Sequence, residues 1–540
     1  MRPAGRARAV LGLLAVAALL AGCPGDDEEG DDRPSTTEER RPTGEIVDGG
    51  TMRLGVGGAI VADPVNANLG SPTDLLLLDL LHDGLTRVAD DGAVVPALAT
   101  EWSADPTFTT WTFKLDPQAT FASGRGITSA DVVASLQRVA KGGDTSLAAL
   151  KLEGILGFRE LVDATATGLA GVTAPDPTTV QIILASSMAA LPTLLASPTY
   201  GIVDIASLDA VASDAEALGE LDLSGDWTIS GYDDGVLELA RRPGPSGHLD
   251  GVEVRAYDDA DEAYEAFDEG DVDWALVPVE RYGDAVDDHG DDAFAPFHAE
   301  LFFGMRVSSP SLANVEVRKA IAASIDREAI VRAVYDDLAE PLSAVIPAGV
   351  PGHDDDRCGE CRHDPERAKS ILAAAFPSGG VPTVAIDFDQ SPAQEAMAGI
   401  VADGLRKAGI PTTLRPKPIE EYKAFVVSGA QELFSFGWIG GYVSGDAYIT
   451  PLFGSAANDN LTGFGAPEVD LALATARAAG DAAAASGHWG GVEARVLAEA
   501  VVVPIAQFRT QAVVGERVQG FEHAVDGSVD WSEVWVSDGE

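Results

Sequence analysis

From Thr51 onward, strand-like and helix-like stretches alternate along nearly the whole chain, which restricts the fold more than any single motif does. TMRLGVGGAI (51–60) reads as a strand, and DLLLLDLL (74–81) as a helix stopped by His82-Asp83-Gly84. LTRVADDGAVVPALATEW (85–102) reads as a hairpin about an Asp-Asp-Gly turn, and TFTTWTFKL (107–115) alternates like a half-buried strand. Thr128 and Asp131 have the spacing of a capping box ahead of VVASLQRVA. WTISGYDDGVLELARR (227–242) is a second Asp-Asp-Gly hairpin, GVEVRAY (251–257) a strand, and 259–277 an acidic helix, a Gly stop and a buried strand. LFFGMRVS (301–308) reads as a strand, and VEVRKAIAASIDREAIVRAVY (315–335) predicts one helix over its whole length. TVAIDFD (383–389), AQEAMAGIVADGLRKAG (393–409) and PTTLRP (411–416) form a βαβ-like unit, and VVVPIAQF (501–508) is a late strand. The class is α/β, and 540 residues exceed what one core holds, so two or three lobes are expected.

The first residues indicate export. Arg2, Arg6 and Arg8 precede an apolar run from Ala9 to Leu20, too short to span a bilayer comfortably, and small residues follow it. Leu20-Ala21-Gly22-Cys23 resembles a bacterial lipobox, which implies a signal peptide over 1–22 and a lipid on Cys23. Residues 23–50 are polar and rich in Pro, Gly and acid, a composition that cannot offset its ordering entropy, so a flexible acidic tether is expected there.

The formal net charge is −50, from 86 acids against 36 bases. Such a field repels phosphate backbones and anionic headgroups, which excludes nucleic acid as a partner and leaves the lipid as the membrane attachment. An enzyme would need a constellation, and no G-x-S-x-G, S-x-x-K or H-E-x-x-H occurs. Cys358 and Cys361 in HDDDRCGECRHDPERA (353–368) form an even pair in an exported chain, which predicts a short-loop disulfide. A metal site completed by His353 and His363 is the alternative.

FSFGWIGGYVSGDAY (434–448) sets three kinds of aromatic ring among four glycines, with Asp446 its one acid. It lacks the Lys-Ser/Thr ending of a phosphate loop.

Taken together, several stretches resemble one family, the extracytoplasmic solute-binding proteins of the oligopeptide/dipeptide/nickel type that serve ABC importers. They are LLHDGLTRVADDGAVVPALATEW with its W-T-F strand, FASGRGITSADVVASLQRV, EAFDEGDVDWALVP and NVEVRKAIAASIDREAIVRAVYDDLAEPLSAVIPAGVPG, in this order from about residue 52 to 536. The resemblance implies a two-lobe, type II binding-protein fold with a cleft. Lobe I would comprise 51–105, 195–290 and 506–540, an inserted subdomain 106–194, and lobe II 291–505. It also implies solute capture by lobe closure, delivery to permease subunits, a monomer, no cofactor, no metal and no catalysis. An exported hydrolase or a solute sensor is the rival reading.

By the same resemblance, 434–448 matches a cleft segment "G-W-x-x-D-Y", with Gly437, Trp438 and Tyr442 at the matching positions. The acid that pairs with a peptide's ammonium is replaced by Gly441, and a basic residue found in some peptide binders by Ser435. A buried ion without a counter-charge is costly, so unmodified peptides are expected to bind poorly, and a blocked peptide, an oligosaccharide or another weakly charged solute is expected instead. Trp438 and Tyr442 are expected to stack on the ligand, and Gly440 and Gly441 to allow close backbone approach. Asp446 would supply a charge from the loop, its alternative being plain surface exposure, and Phe302 is a further wall candidate with the core as its alternative.

Overall fold

In the computed structural model, the described residues are 46–537 apart from 90–91, 245, 291–292, 336–337, 481 and 525. The expected signal peptide, Cys23 and the tether as far as residue 45 lie outside them. Among the described residues, no helix is long and apolar enough to cross a membrane.

The chain opens with strand β1 (Thr51–Gly57), then the short hairpin β2 (Thr86–Val88) and β3 (Val94–Pro96). Strands β4 (Ala99–Ala104), β5 (Thr110–Leu115), β6 (Val172–Asp176) and β7 (Thr179–Ile183) follow, then β8 (Trp227–Asp233), β9 (Val236–Arg241), β10 (Gly251–Tyr257) and β11 (Trp274–Leu276). Next come β12 (Pro296–Met305), β13 (Ala339–Pro341), β14 (Val384–Asp389), β15 (Thr412–Lys417), β16 (Leu433–Ile439) and β17 (Val502–Arg509). The chain ends with β18 (Ala512–Val514), β19 (Val518–Gln519) and β20 (Trp535–Val536).

Two compact units result. One holds the described residues up to Ala295 and those from Thr510 onward, the other Pro296–Arg509. The first unit is built on a six-stranded sheet of order β18-β11-β1-β10-β9-β8, with β1 parallel to β10 and β11. The β8–β9 turn is Asp234-Gly235, with φ of 48° and 79°, the two-residue left-handed turn that an Asp-Gly pair favours. The same unit carries a four-stranded sheet, β4-β5-β7-β6, and the helix Ser129–Ala140. That helix starts as its spacing predicts: the Thr128 N–H donates to Asp131 Oδ2 at 2.8 Å. The stretch 85–102 is less simple than one hairpin, because β3 pairs with β2 while β4 pairs with β5. Helix Pro72–Leu81 buries eight of its residues, its first turn capped by Ser71, whose Oγ accepts from the Asp74 N–H at 3.2 Å.

The second unit is organised by a six-stranded sheet of order β13-β17-β12-β16-β14-β15. The expected βαβ unit is there: β14 and β15 are parallel, and helix Pro392–Ala408 joins them, closed by Gly409 at φ 92°. The single helix expected over 315–335 is not. It breaks after Val315–Ser324, where Ile325 turns extended, and resumes at Arg327–Ile330 before a π-helical turn, Val331–Tyr335. Asp326 makes the break, since its carboxylate accepts from the Ala329 N–H at 3.0 Å as a fresh N-cap. Apolar spacing persists across such a break, so periodicity alone does not show it.

Cys358 and Cys361 are joined as a disulfide with Cα atoms 5.2 Å apart. Among the described residues, no group of three or more His, Cys, Asp or Glu is placed to hold a metal ion. The disulfide turn is tied down by Cys358 N–H donating to Ser343 O at 3.1 Å and by Arg327, which donates to Leu342 O at 3.0 Å and to Cys361 O. Because the closed loop is short, replacing both cysteines by Ser should cost only about 2 kcal/mol. A urea titration of the double variant reads this; a cost above roughly 4 kcal/mol would show that the bond does more than close a turn.

Candidate functional site

The site is built on β16 and the turn that follows it. β12 and β16 run antiparallel in unbroken register, from Ala299 opposite Ile439 to Met305 opposite Leu433. Residues opposite one another share a face. Glu300, Phe302 and Gly304 therefore lie on one face with Trp438, Phe436 and Phe434, while Leu301, Phe303, Gly437 and Ser435 lie on the other. The first face carries a run of rings: the centroids of Phe302 and Phe436 are 5.4 Å apart, and those of Phe434 and Phe436 are 5.5 Å apart. Gly304 makes room for them, since a Cβ there would meet Phe434 Cζ at 2.5 Å.

Trp438 ends this run, 3 % exposed. Its indole N–H donates to Ala447 O at 2.9 Å, which ties the strand to helix Asp446–Phe453 and folds the intervening turn back over the sheet. Gly440 donates its N–H to His298 O at 3.2 Å, and a Cβ there would meet Tyr448 Cζ at 2.3 Å. Close approach is thus real at Gly440, but its partner is the Tyr448 ring of the same turn. Gly441 has φ 81°, where a side chain is strained. Tyr442 follows, 6 % exposed. Gly445 packs on Trp489, whose Cγ would lie 2.7 Å from an added Cβ.

Asp446 is buried, not on the surface: it is 3 % exposed. Its Oδ1 accepts from Thr450 Oγ1 at 2.5 Å and lies 3.3 Å from Arg477 Nε. Its charge is therefore balanced inside the protein, in the first turn of the helix that receives the Trp438 indole. Phe302 is fully buried among Phe436 and the sheet, a core ring supporting the wall.

Position 435 corrects the reasoning from sequence. It stands three residues before Trp438, an odd step along a strand, so it faces the opposite side of the sheet. There Ser435 Oγ donates to Gln394 Oε1 at 2.7 Å, under helix Pro392–Ala408. A basic side chain at 435 would enter that helix interface and not the Trp438 face, so Ser435 carries no information about a ligand carboxylate. Position 441 offers no easy place for an acid either. Gly441→Asp should lower stability by about 1 kcal/mol through its positive φ, read as a fall in the urea midpoint. An unchanged midpoint would show that the turn relaxes around the new side chain.

Glu300 is wholly buried, lies in register with Trp438 on the same face, and is flanked on its other side by Gln507. The Gln507 amide is committed to backbone: its Oε1 accepts from Ala348 N–H at 2.8 Å, and its Nε2 donates to Phe297 O at 3.1 Å and Ala348 O at 3.0 Å. The signal in the sequence was an acid inside the otherwise apolar run FHAELFFGM (297–305).

With this geometry in view, known proteins give the family. Residues 93–460 match the model of the bacterial extracellular solute-binding proteins, family 5. The chain belongs to this family. Among curated relatives, the probable di/tripeptide-binding protein 5 of Pseudomonas aeruginosa is 25% identical over 245 residues, which is 45% of this chain and 46% of that protein. That alignment spans less than half the length of the relative. The periplasmic murein peptide-binding protein MppA of Escherichia coli is 24% identical over 481 residues, 85% of this chain and 88% of that protein. The unliganded, open structure of a murein tripeptide-binding MppA superposes with a TM-score of 0.79 at 21% identity, covering 92% of this chain and 99% of that one. The family 5 solute-binding protein described here therefore has the fold of those relatives, and it binds solutes outside the cytoplasm.

Proposed function

We propose that the family 5 protein captures a peptide-like solute on the β12–β16 face and hands it to the permease subunits of an ABC importer. It would be held at the membrane by a lipid on Cys23 and act as a monomer. The observation that carries this reading is the turn 438–446. Trp438, Gly440, Gly441 and Tyr442 are held at the end of a buried strand by the indole–Ala447 hydrogen bond and by the Asp446–Arg477 pair. A rigid indole and phenol beside glycine backbone suit a ligand with flat amide groups and small apolar side chains. Relatives whose names record di- and tripeptides or murein peptide as ligands support the same class.

The division into lobe I (51–105, 195–290, 506–540), inserted subdomain (106–194) and lobe II (291–505) belongs to the same proposal. No turnover is part of it. A thermal-shift panel of short peptides, blocked peptides and oligosaccharides tests the reading, because a ligand present at 100 times its Kd stabilises by about 2.7 kcal/mol. Peptides should raise the Tm by several degrees, and mass spectrometry should recover them uncut. Stabilisation by oligosaccharides alone would overturn the peptide class, and cleaved peptide would overturn the binding role.

A further inference from the structure

We infer that Glu493 is a positioning residue for the solute turn: it holds helix Ala482–Ala498 against the loop 342–361, and through Trp489 that helix holds the turn 438–446 in shape. The inference rests on the solute-capture reading and adds to it a residue that acts from outside the site.

The helix carries the link along one face. Residues 486, 490 and 493 are spaced as a single stripe, and the loop lies along it. Gly352, at φ 102°, sits against Ser486, whose carbonyl oxygen would be 3.2 Å from an added Cβ. Gly490 makes room for Arg357, whose Nη2 a Cβ would meet at 2.7 Å. Glu493 closes the contact. It is wholly buried, its Oε1 accepts from the Val345 N–H at 2.5 Å and the Ile346 N–H at 2.9 Å, and its Oε2 lies 3.2 Å from Arg357 Nε. Burying a carboxyl is costly, so an apolar side chain would serve packing alone better. Only an acceptor satisfies two successive buried N–H groups of the loop, and that is what Glu493 supplies. The far end of the loop is anchored separately, by the Cys358–Cys361 disulfide and by the Cys358 N–H on Ser343 O.

The other end of the link is Trp489, four residues before Glu493 and so about one helical turn away on the same side. It is buried, and its side chain lies against Gly445, where an added Cβ would meet Cγ at 2.7 Å. Gly445 leads into Asp446–Phe453, the helix whose Ala447 carbonyl receives the Trp438 indole. A shift of Trp489 would therefore move the acceptor that fixes the Trp438 ring.

The test compares the full chain with Glu493→Ala, Glu493→Gln, Trp489→Leu and the double variant Glu493→Ala/Trp489→Leu, each shown by circular dichroism to be folded. Should Glu493→Ala fail to fold, Glu493→Asp, with its carboxylate one methylene short of the loop, is read against the same outcomes. Amide hydrogen exchange is measured first and needs no solute. Glu493→Ala should speed exchange in 440–448 by about tenfold, as expected when buried N–H groups lose their acceptor, and leave β15 at its wild-type rate. Glu493→Gln keeps an acceptor and should stay within about threefold of the wild type. The double variant should be no faster in the turn than Trp489→Leu alone, because both changes act along one path. Four results would each overturn the inference: unchanged exchange in the turn of Glu493→Ala, exchange raised equally throughout the second unit, Glu493→Gln as loose as Glu493→Ala, or additive effects in the double variant. Calorimetric titration with tri-alanine then reads the consequence, a loss of about tenfold in affinity in Glu493→Ala. If tri-alanine binds the wild type and Glu493→Ala alike, peptide capture stands and the inference falls. If tri-alanine binds neither while the exchange results hold, the peptide class falls and the positioning of the turn stands.

Discussion

Trp438→Ala should lower the stability of the second unit by about 3–5 kcal/mol and abolish solute-induced stabilisation. The size follows from what the side chain does. Its ring is almost wholly buried at the end of the Phe434–Phe436 run, and its N–H is the link at 2.9 Å between β16 and the helix that begins at Asp446. Truncation leaves a cavity and strands the Ala447 carbonyl. Trp438→Phe separates the two roles, because it keeps a ring and loses only the hydrogen bond, at a cost of about 1 kcal/mol. Urea midpoints of both variants, with and without a stabilising peptide, read the effect. If Trp438→Ala were as stable as Trp438→Phe, or still responded to peptide, the turn would not depend on the indole.

The Tm should rise by about 5 °C or more as the pH is lowered from 8.5 to 6.5, and then level off. Three buried carboxyls set the rise. Burial pushes Asp79 up to about 8 and Asp83 and Glu493 up to about 7. Repulsion from Asp526 and Asp83 adds to the burial of Asp79, and repulsion from Asp226 adds to that of Asp83; for Asp83, Arg242 and Arg87 act the other way. Asp79 accepts from the Val529 N–H at 3.0 Å and the Trp531 indole at 3.1 Å, and Glu493 accepts from the Ile346 N–H at 2.9 Å and the Val345 N–H at 2.5 Å, with Arg357 Nε at 3.2 Å.

Each of these groups has a folded pKa above its unfolded one. The folded state therefore takes up protons between about pH 8 and the ordinary carboxylate range, where the unfolded chain does not, and stability grows as the pH falls through that window. His82 and His523 work against this. Burial lowers both to about 4, so below the ordinary histidine pKa the unfolded chain binds protons that the folded chain refuses, and the rise flattens. The variant Asp79→Asn removes one carboxyl and keeps an acceptor for Val529, so it should be more stable than the wild type at pH 8.5 and show a shallower slope. A Tm that is flat or falling from pH 8.5 to 6.5, or an Asp79→Asn variant with the wild-type slope, would contradict this.

Local chemistry made much of the fold legible. The Asp234-Gly235 turn, the Thr128–Asp131 box and the β14–helix–β15 unit all depend on residues within a few positions of each other, and each stands where its pattern put it. The break at Ile325 did not show, because Asp326 read as one more polar position on a helix until its carboxylate was seen capping a new one.

The site was legible only along β16. Trp438 and Tyr442 drew notice by residue type and by family likeness, but what faces them is decided by strand pairing between segments far apart in the sequence. Glu300 meets Trp438 only through the β12–β16 register, and Arg477 meets Asp446 only through packing of their helices. The weight placed on Ser435 failed for a simpler reason: along a strand, residues three apart look in opposite directions.

The most direct test is a crystal structure of the protein with its solute bound, the solute first identified by mass spectrometry of molecules released from gently purified protein. Solute atoms should lie within about 4 Å of the Trp438 ring. A solute bound elsewhere, with Trp438 touching only protein, would contradict the account.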